Sequence, residues 1–129
     1  MPYILSVDDS RLIRKIMTGP IQALGYDVLE AADGLECLAQ LKVHGKDVAL
    51  VLLDCNMPNL DGFETLKSIK ADPTLSHIPV MMVTTEGERE KMIVTIKAGA
   101  SQYLTKPFTE DELLTKMMEC LPQESLYFG

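Results

Sequence analysis

The sequence predicts an α/β fold, a doubly wound five-stranded parallel sheet with five helices. Three observations predict it. Short apolar runs alternate with stretches of helical periodicity from end to end. The run Val51-Leu52-Leu53 is apolar without alternation, as in a strand covered on both faces. No linker or shift in composition interrupts the pattern, so the 129 residues hold one domain, placed at 1–122. Right-handed crossovers leave few arrangements for such a chain.

YILSV at 3–7 is the first strand. Leu12, Ile13, Ile16 and Met17 then recur at helical spacing, and Gly25 marks the stop. Pro20 lies inside that helix without the N–H that would bond Ile16, which predicts a kink or irregular turn. DVLEA at 27–31 is the second strand. The second helix runs from about Leu35 to Val43, with Leu35, Leu38 and Leu41 on one side and Gly45 after it. DVALVLLD at 47–54 is the most apolar strand. Asp61 is placed to cap a third helix, with Glu64 spaced as in a capping box. Pro73 disfavours helix at Asp72 and ends it near KADP. VMMVT at 80–84 is the fourth strand, with Pro79 tolerable at its start. The fourth helix, from about Glu88, turns Met92, Ile93 and Ile96 inward and stops at Gly99. QYLTK at 102–106 is the fifth strand, and TEDE at 109–112 is a second capping-box pattern opening a helix to about Cys120.

The composition, 47% hydrophobic and 24% charged, is that of an ordinary globular protein. No apolar run approaches the ~20 residues that span a bilayer. No basic-then-apolar segment at the N-terminus reads as a signal peptide, so a cytoplasmic location is expected. Cys37, Cys55 and Cys120 are odd in number and lack CxxC spacing, against a disulfide framework and a zinc site. His44 and His77 are isolated and read as surface or structural residues. A net charge of -7 disfavours nucleic acid and anionic membrane as partners. MPYILSVDD reads as a native start, no output domain is expected after the last helix, and 123–129 reads as a loose tail resembling an expression scar.

In an open parallel sheet, ligands bind outside the carboxyl ends of the strands, at a topological switch point. The predicted strand ends are Asp8-Asp9, Asp54, Thr84-Thr85 and Lys106-Pro107. Singly, each has an ordinary role: Asp8 and Asp9 in a helix-capping turn, Asp54 as a cap, Thr84 as a strand residue, Lys106 as a solvated charge. Together they bring three carboxylates, a hydroxyl and an ammonium to one rim. Such a carboxylate cluster either shares a proton or binds a cation. With no His or Cys among them the donors are hard oxygens, which favours Mg²⁺ or Mn²⁺ over Zn²⁺. A metal, a carboxylate, a hydroxyl and a lysine suit phosphoryl transfer, in which a carboxylate can itself be the nucleophile.

The motifs VDD at 7–9, LLDCNMPNLDG at 52–62, MVTTEGE at 82–88 and AGASQYLTKPFT at 98–109 resemble the receiver domain of two-component response regulators. Within that family they are most similar to its stand-alone chemotaxis members. The resemblance implies a flavodoxin-like strand order 2-1-3-4-5. It implies Asp54 as phosphoacceptor, and Asp8, Asp9, Asp54 and the Asn56 carbonyl as Mg²⁺ ligands. Thr84 would contact the phosphoryl group and Lys106 would pair with it, aimed by a cis Lys106-Pro107 bond. Tyr103 would swing inward as Thr84 moves, and Asn56 and Glu86 would flank the path of a hydrolytic water. A histidine kinase is the implied donor. The implied output surface is the face of helix 4, strand 5 and helix 5, including Arg89, Lys91, Met92, Lys97 and Lys116. A flagellar motor switch protein is its candidate target, and the chain is expected to be a monomer.

Other readings fit less well. A phosphatase of the haloacid dehalogenase type carries an Asp where Asn56 stands. A pseudo-receiver would lack Asp54, Thr84 or Lys106. A flavodoxin-like electron carrier needs a phosphate cradle, and VDDSR is acidic and free of glycine. A phosphorelay receiver, a part of a kinase complex, or a receiver cut from a larger regulator remains open.

Overall fold

The computed structural model describes residues 2–85 and 89–121, with the side chains at 89 and 91 outside that description. Strands and helices alternate as β1 (Tyr3–Val7), α1 (Arg11–Ala23), β2 (Asp27–Ala31), α2 (Gly34–His44), β3 (Val48–Asp54), α3 (Gly62–Ala71), β4 (Val80–Thr85), α4 (Arg89–Lys97), β5 (Gln102–Lys106) and α5 (Glu110–Cys120). A 3-10 turn, Gly45–Asp47, joins α2 to β3. All pairings are parallel, in the order β2-β1-β3-β4-β5. The strands' carboxyl ends therefore share one rim. The described chain begins and ends at the opposite one, where Ile4 and Leu121 lie in the same apolar cluster.

β3 is central and covered on both faces, which is why it shows no polar alternation. Its Val51 and Leu53 pack with Cys37 and Leu41 of α2 and with Leu66 and Ile69 of α3. Its Leu50 and Leu52 pack with Met17 and Ile21 of α1 and with Leu113 and Met117 of α5. These four strand residues are at most 1% exposed. Burial of each stabilises the fold by roughly 2 kcal/mol.

The helix boundaries follow local chemistry. Ser10, Asp33 and Asp61 each accept a backbone N–H at the start of α1, α2 and α3. Thr109 and Glu112 form a reciprocal capping box at α5. Gly25 and Gly99 take left-handed φ of 88° and 112° just past α1 and α4. Gly45 is different: its φ is -52°, and it passes α2 straight into the 3-10 turn. A Cβ there would meet Leu75 Cδ2 at 2.9 Å, so close packing explains this glycine.

The helix faces refine the reading of α1 and correct those of α2 and α4. In α1 the buried residues are Met17, Pro20 and Ile21, while Leu12 and Ile16 face solvent. The helix continues through Pro20 to Ala23, since a single missing N–H in the last turn removes only one bond. In α2, Cys37 and Leu41 point inward and Leu35 is 57% exposed. In α4, Ile93 and Ile96 are exposed and Thr95 is buried beside half-buried Met92. The Thr95 hydroxyl donates to Met92 O at 3.0 Å, so its polarity is satisfied within its own helix. A polar residue thus takes the inward position that apolar spacing had assigned to its neighbours.

Candidate functional site

The order of the strands makes a switch point between β1 and β3, because the chain leaves β1 to one side and β3 to the other. Asp8 stands just beyond β1. Its N–H still bonds Ala31 O of β2 at 3.1 Å, so the extended backbone continues through it. Its Oδ1 accepts Ser10 N–H at 2.8 Å and its Oδ2 accepts Lys106 Nζ at 2.9 Å. Its backbone carbonyl accepts Arg14 Nη1 at 2.6 Å, and Arg14 is braced in turn by Glu30 at 2.9 Å. Asp8 is 1% exposed, whereas its neighbour Asp9 is open to solvent.

Asp54 is the last residue of β3 and is 4% exposed. Its Oδ1 lies 3.4 Å from Asn56 N and 3.5 Å from Lys106 Nζ. Burial and the nearby Asp8 charge push its pKa up from 3.8 to about 6, against the pull of Lys106 and the Asn56 N–H. Burial pulls the Lys106 ammonium down, but its hydrogen bond to Asp8 and the charges of Asp54 and Asp8 outweigh that and raise it overall.

One carboxylate oxygen from each of Asp8, Asp9 and Asp54 lies within 4.8 Å of the others. Ionised, the three carry two negative charges beyond what Lys106 balances. An all-oxygen set with a surplus of two negative charges fits a hard divalent cation such as Mg²⁺.

Alternation sorts the remaining residues. Asp54 shares a side of the sheet with Leu50 and Leu52, and Lys106 shares it with Leu104. Thr84 falls on the other side, with Val80 and Met82, and is 1% exposed. It follows Val83, which lies opposite Asp54 in the ladder. Tyr103 lies on that same side, opposite Met82, and is 6% exposed. Its ring is therefore packed inward in this structure. The Lys106-Pro107 bond is cis.

The loop from β3 to α3 folds back tightly. Cys55 N donates to Val83 O at 3.0 Å and Gly62 N to Cys55 O at 3.1 Å. A Cβ at Gly62 would stand 2.2 Å from Asp54 O, so only glycine fits. Asn56 is exposed on this loop. A groove of about 390 Å³ beside it is bounded by Phe63 of α3 and by Glu90 and Val94 of α4. Glu86 lies outside the described residues, so its proposed place beside the water path is not described.

The structure thus brings together Asp8, Asp9, Asp54 and Lys106, with Thr84 and Asn56 adjoining through β4 and the β3–α3 loop. Sequence reasoning missed Arg14, Asp33 and Asn59. Arg14 grips the backbone behind Asp8. Asp33, in the β2–α2 junction, is bonded to Asn59 of the β3–α3 loop, its carboxyl held below the usual range by the Glu36 N–H and then by Asn59. Such partners are distant in sequence and leave no periodic signal.

Fold and site together define an α/β protein with an oxygen-lined acidic cluster at its switch point. The family model described as the response regulator receiver domain matches residues 4–118. Chemotaxis protein CheY1 of Helicobacter pylori is 39% identical over 115 residues, covering 88% of this chain and 92% of that protein. The chemotaxis protein CheY homolog of Campylobacter jejuni is 39% identical over 119 residues, covering 92% and 91%. Among solved structures, Vibrio cholerae chemotaxis protein CheY4 superposes with a TM-score of 0.84 at 36% identity, covering 94% of this chain and 99% of that one. A receiver domain protein from Clostridium thermocellum superposes at 0.87 with 27% identity, covering 99% and 100%. The chain belongs to the response regulator receiver domain family.

Proposed function

We propose that this chain is a phosphoacceptor switch in two-component signalling and that Asp54 is the residue modified. The observation that carries this reading is the buried Asp54 carboxylate at a strand exit, 3.5 Å from Lys106 and clustered with Asp8 and Asp9. An Asp54 oxygen attacks the phosphorus of a kinase phosphohistidine. The new P–O bond forms as the P–N bond breaks, and the histidine nitrogen leaves with the electron pair. Lys106 draws charge from the phosphoryl oxygens, and Thr84, which points to the other side of the sheet at the end of β4, swings over the strand ends to donate its hydroxyl to one of them. Asp8, Asp9, Asp54 and the Asn56 carbonyl are the proposed Mg²⁺ ligands, with Mn²⁺ as a substitute. The metal supplies charge neutralisation at the developing phosphoryl group.

Tyr103 is the proposed second half of the switch. It is packed diagonally beyond Thr84 on the same side of the sheet, so inward movement of the Thr84 hydroxyl changes the space open to its ring. The readout surface is then α4, β5 and α5, where Ile93, Val94 and Ile96 are already exposed and apolar. The relatives are named chemotaxis proteins, which supports a chemotaxis output; a flagellar motor switch protein is the proposed target and a cytoplasmic monomer the proposed working form. Among the described residues no helix is long and apolar enough to cross a membrane. Asn56 and Glu86 are the proposed gatekeepers of the hydrolytic water. A phosphorelay role without flagellar output is the second reading.

The test is intact-mass analysis after incubation with acetyl phosphate and Mg²⁺. The expected result is a single phosphoryl adduct on wild type and none on Asp54→Asn. An equal adduct on Asp54→Asn moves the acceptor elsewhere.

A further inference from the structure

The proposed metal site borrows a backbone carbonyl, at Asn56, from a loop. Something must hold that loop if the carbonyl is to face the acidic cluster. Near the strand the restraint is the Gly62-to-Cys55 hydrogen bond described above. Farther out, the loop is held from a different element. Asn59 adopts φ of 68°, a left-handed conformation that asparagine tolerates better than most residues. Its Nδ2 donates to Asp33 Oδ2 at 2.7 Å. The other Asp33 oxygen accepts Glu36 N–H at 2.9 Å and caps α2, which ties loop and helix through one carboxylate. Gly34 N adds a bond to Leu60 O at 3.3 Å. A Cβ at Gly34 would meet Thr65 Oγ1 at 2.1 Å and Leu60 O at 2.6 Å, so glycine is what lets α2 press against the loop.

Resting on the metal-assisted phosphoacceptor reading above, we infer that Asp33 and Asn59 are positioning residues that clamp the β3–α3 loop to the start of α2 and so hold the Asn56 carbonyl ready for the metal. Asn56 lies between the strand exit and the clamp, and its own side chain is exposed. The anchors on either side, together with the Asn56 N–H bonded to Asp54 Oδ1 at 3.4 Å, are what aim its carbonyl. Freeing the outer anchor leaves a loop that must be ordered whenever metal binds, and that ordering weakens binding.

The experiment titrates Mg²⁺ into the isotope-labelled full chain and reads Kd from amide shifts, with the metal-free thermal midpoint measured alongside. Asn59→Gly retains access to the left-handed backbone but deletes the amide donor. It is expected to weaken Mg²⁺ about tenfold with little change in midpoint. Asp33→Ala also removes a helix cap, so its midpoint falls along with its affinity. In Asp33→Asn the new amide can pair with a reoriented Asn59 amide, and affinity is expected to return close to wild type. Asn59→Gly with wild-type Kd, or with a lowered midpoint alone, overturns the inference. Wild type that binds no Mg²⁺, or binds it equally after Asp9→Ala, removes the proposed metal site and the clamp's role with it. The Asp9 control thus separates failure of the site from failure of the clamp.

Discussion

Asp54 is held where its charge is unfavourable. It is 4% exposed, its neighbour Asp8 is also acidic, and Lys106 lies nearer to Asp8 than to Asp54. With a native pKa of about 6 against 3.8, the folded state binds more protons than the unfolded state between those values. Asp54's contribution to the stability of the metal-free protein therefore falls as pH rises through that window, opposed by Asp33, Asp72 and Glu112, whose lowered pKa values act the other way. Asp54→Asn keeps the shape and removes the charge. At about pH 7.5 it is expected to be more stable than wild type by about 1–2 kcal/mol, allowing for screening at the open rim. The gap should close as pH falls through about 6 towards 4. Urea unfolding of both proteins across this range checks it. A variant less stable than wild type at neutral pH would mean that the bonds from Lys106 and Asn56 outweigh the burial.

At the level of elements, two glycines make opposite predictions. Gly62 opens α3 with its Cα against the Asp54 carbonyl, and a methyl group there has no space. Gly62→Ala should cost about 3 kcal/mol and disturb Asp54 with it. Gly19 lies in α1 with nothing within 4 Å of where its Cβ would be. Gly19→Ala should stabilise the protein by about 0.5–1 kcal/mol through helix propensity alone. Denaturant midpoints of the two variants should move in opposite directions. If Gly62→Ala leaves both stability and Mg²⁺ affinity unchanged, the loop does not depend on that close approach.

Elements with a complete local signature were legible in the sequence. QYLTK became β5 at the expected residues, and the Thr109–Glu112 box opened α5. The faces of α2 and α4 were not, because periodicity counts hydrophobicity and not hydrogen bonding. Thr95 is buried by bonding its own helix, and Cys37 replaces Leu35 against the sheet. The residues at the strand ends were legible because a parallel sheet collects its carboxyl ends on one rim. The Asp33–Asn59 bond depends on the path of a loop across the sheet, which no local pattern encodes.

For the molecule as a whole, the proposed metal site at the acidic rim would tie metal to stability. A cation that binds only the folded state should raise unfolding free energy by about 2.7 kcal/mol at roughly a hundred times Kd. Asp9→Ala should lose most of that gain while its metal-free stability stays near wild type, because the Asp9 side chain is solvent-exposed. Thermal scans with and without Mg²⁺ measure both quantities. Equal metal-induced shifts in the two proteins would remove Asp9 from the ligand set. The proposed switch should also be visible globally. With beryllofluoride and Mg²⁺, amide shifts are expected to extend from Asp54 through Thr84 and Tyr103 to α4 and α5. Shifts confined to the pocket would leave the output face uncoupled.

The opposite rim has a use of its own. Tyr3 enters and α5 leaves there, with Ile4 and Leu121 in one cluster, a whole strand length from the carboxylates. A linker joining the two described ends along that rim is expected to give a folded circular permutant, with new ends opened in the surface turn around Thr74. The chemistry proposed for Asp54 would need the strands in their places but not the order in which a ribosome makes them.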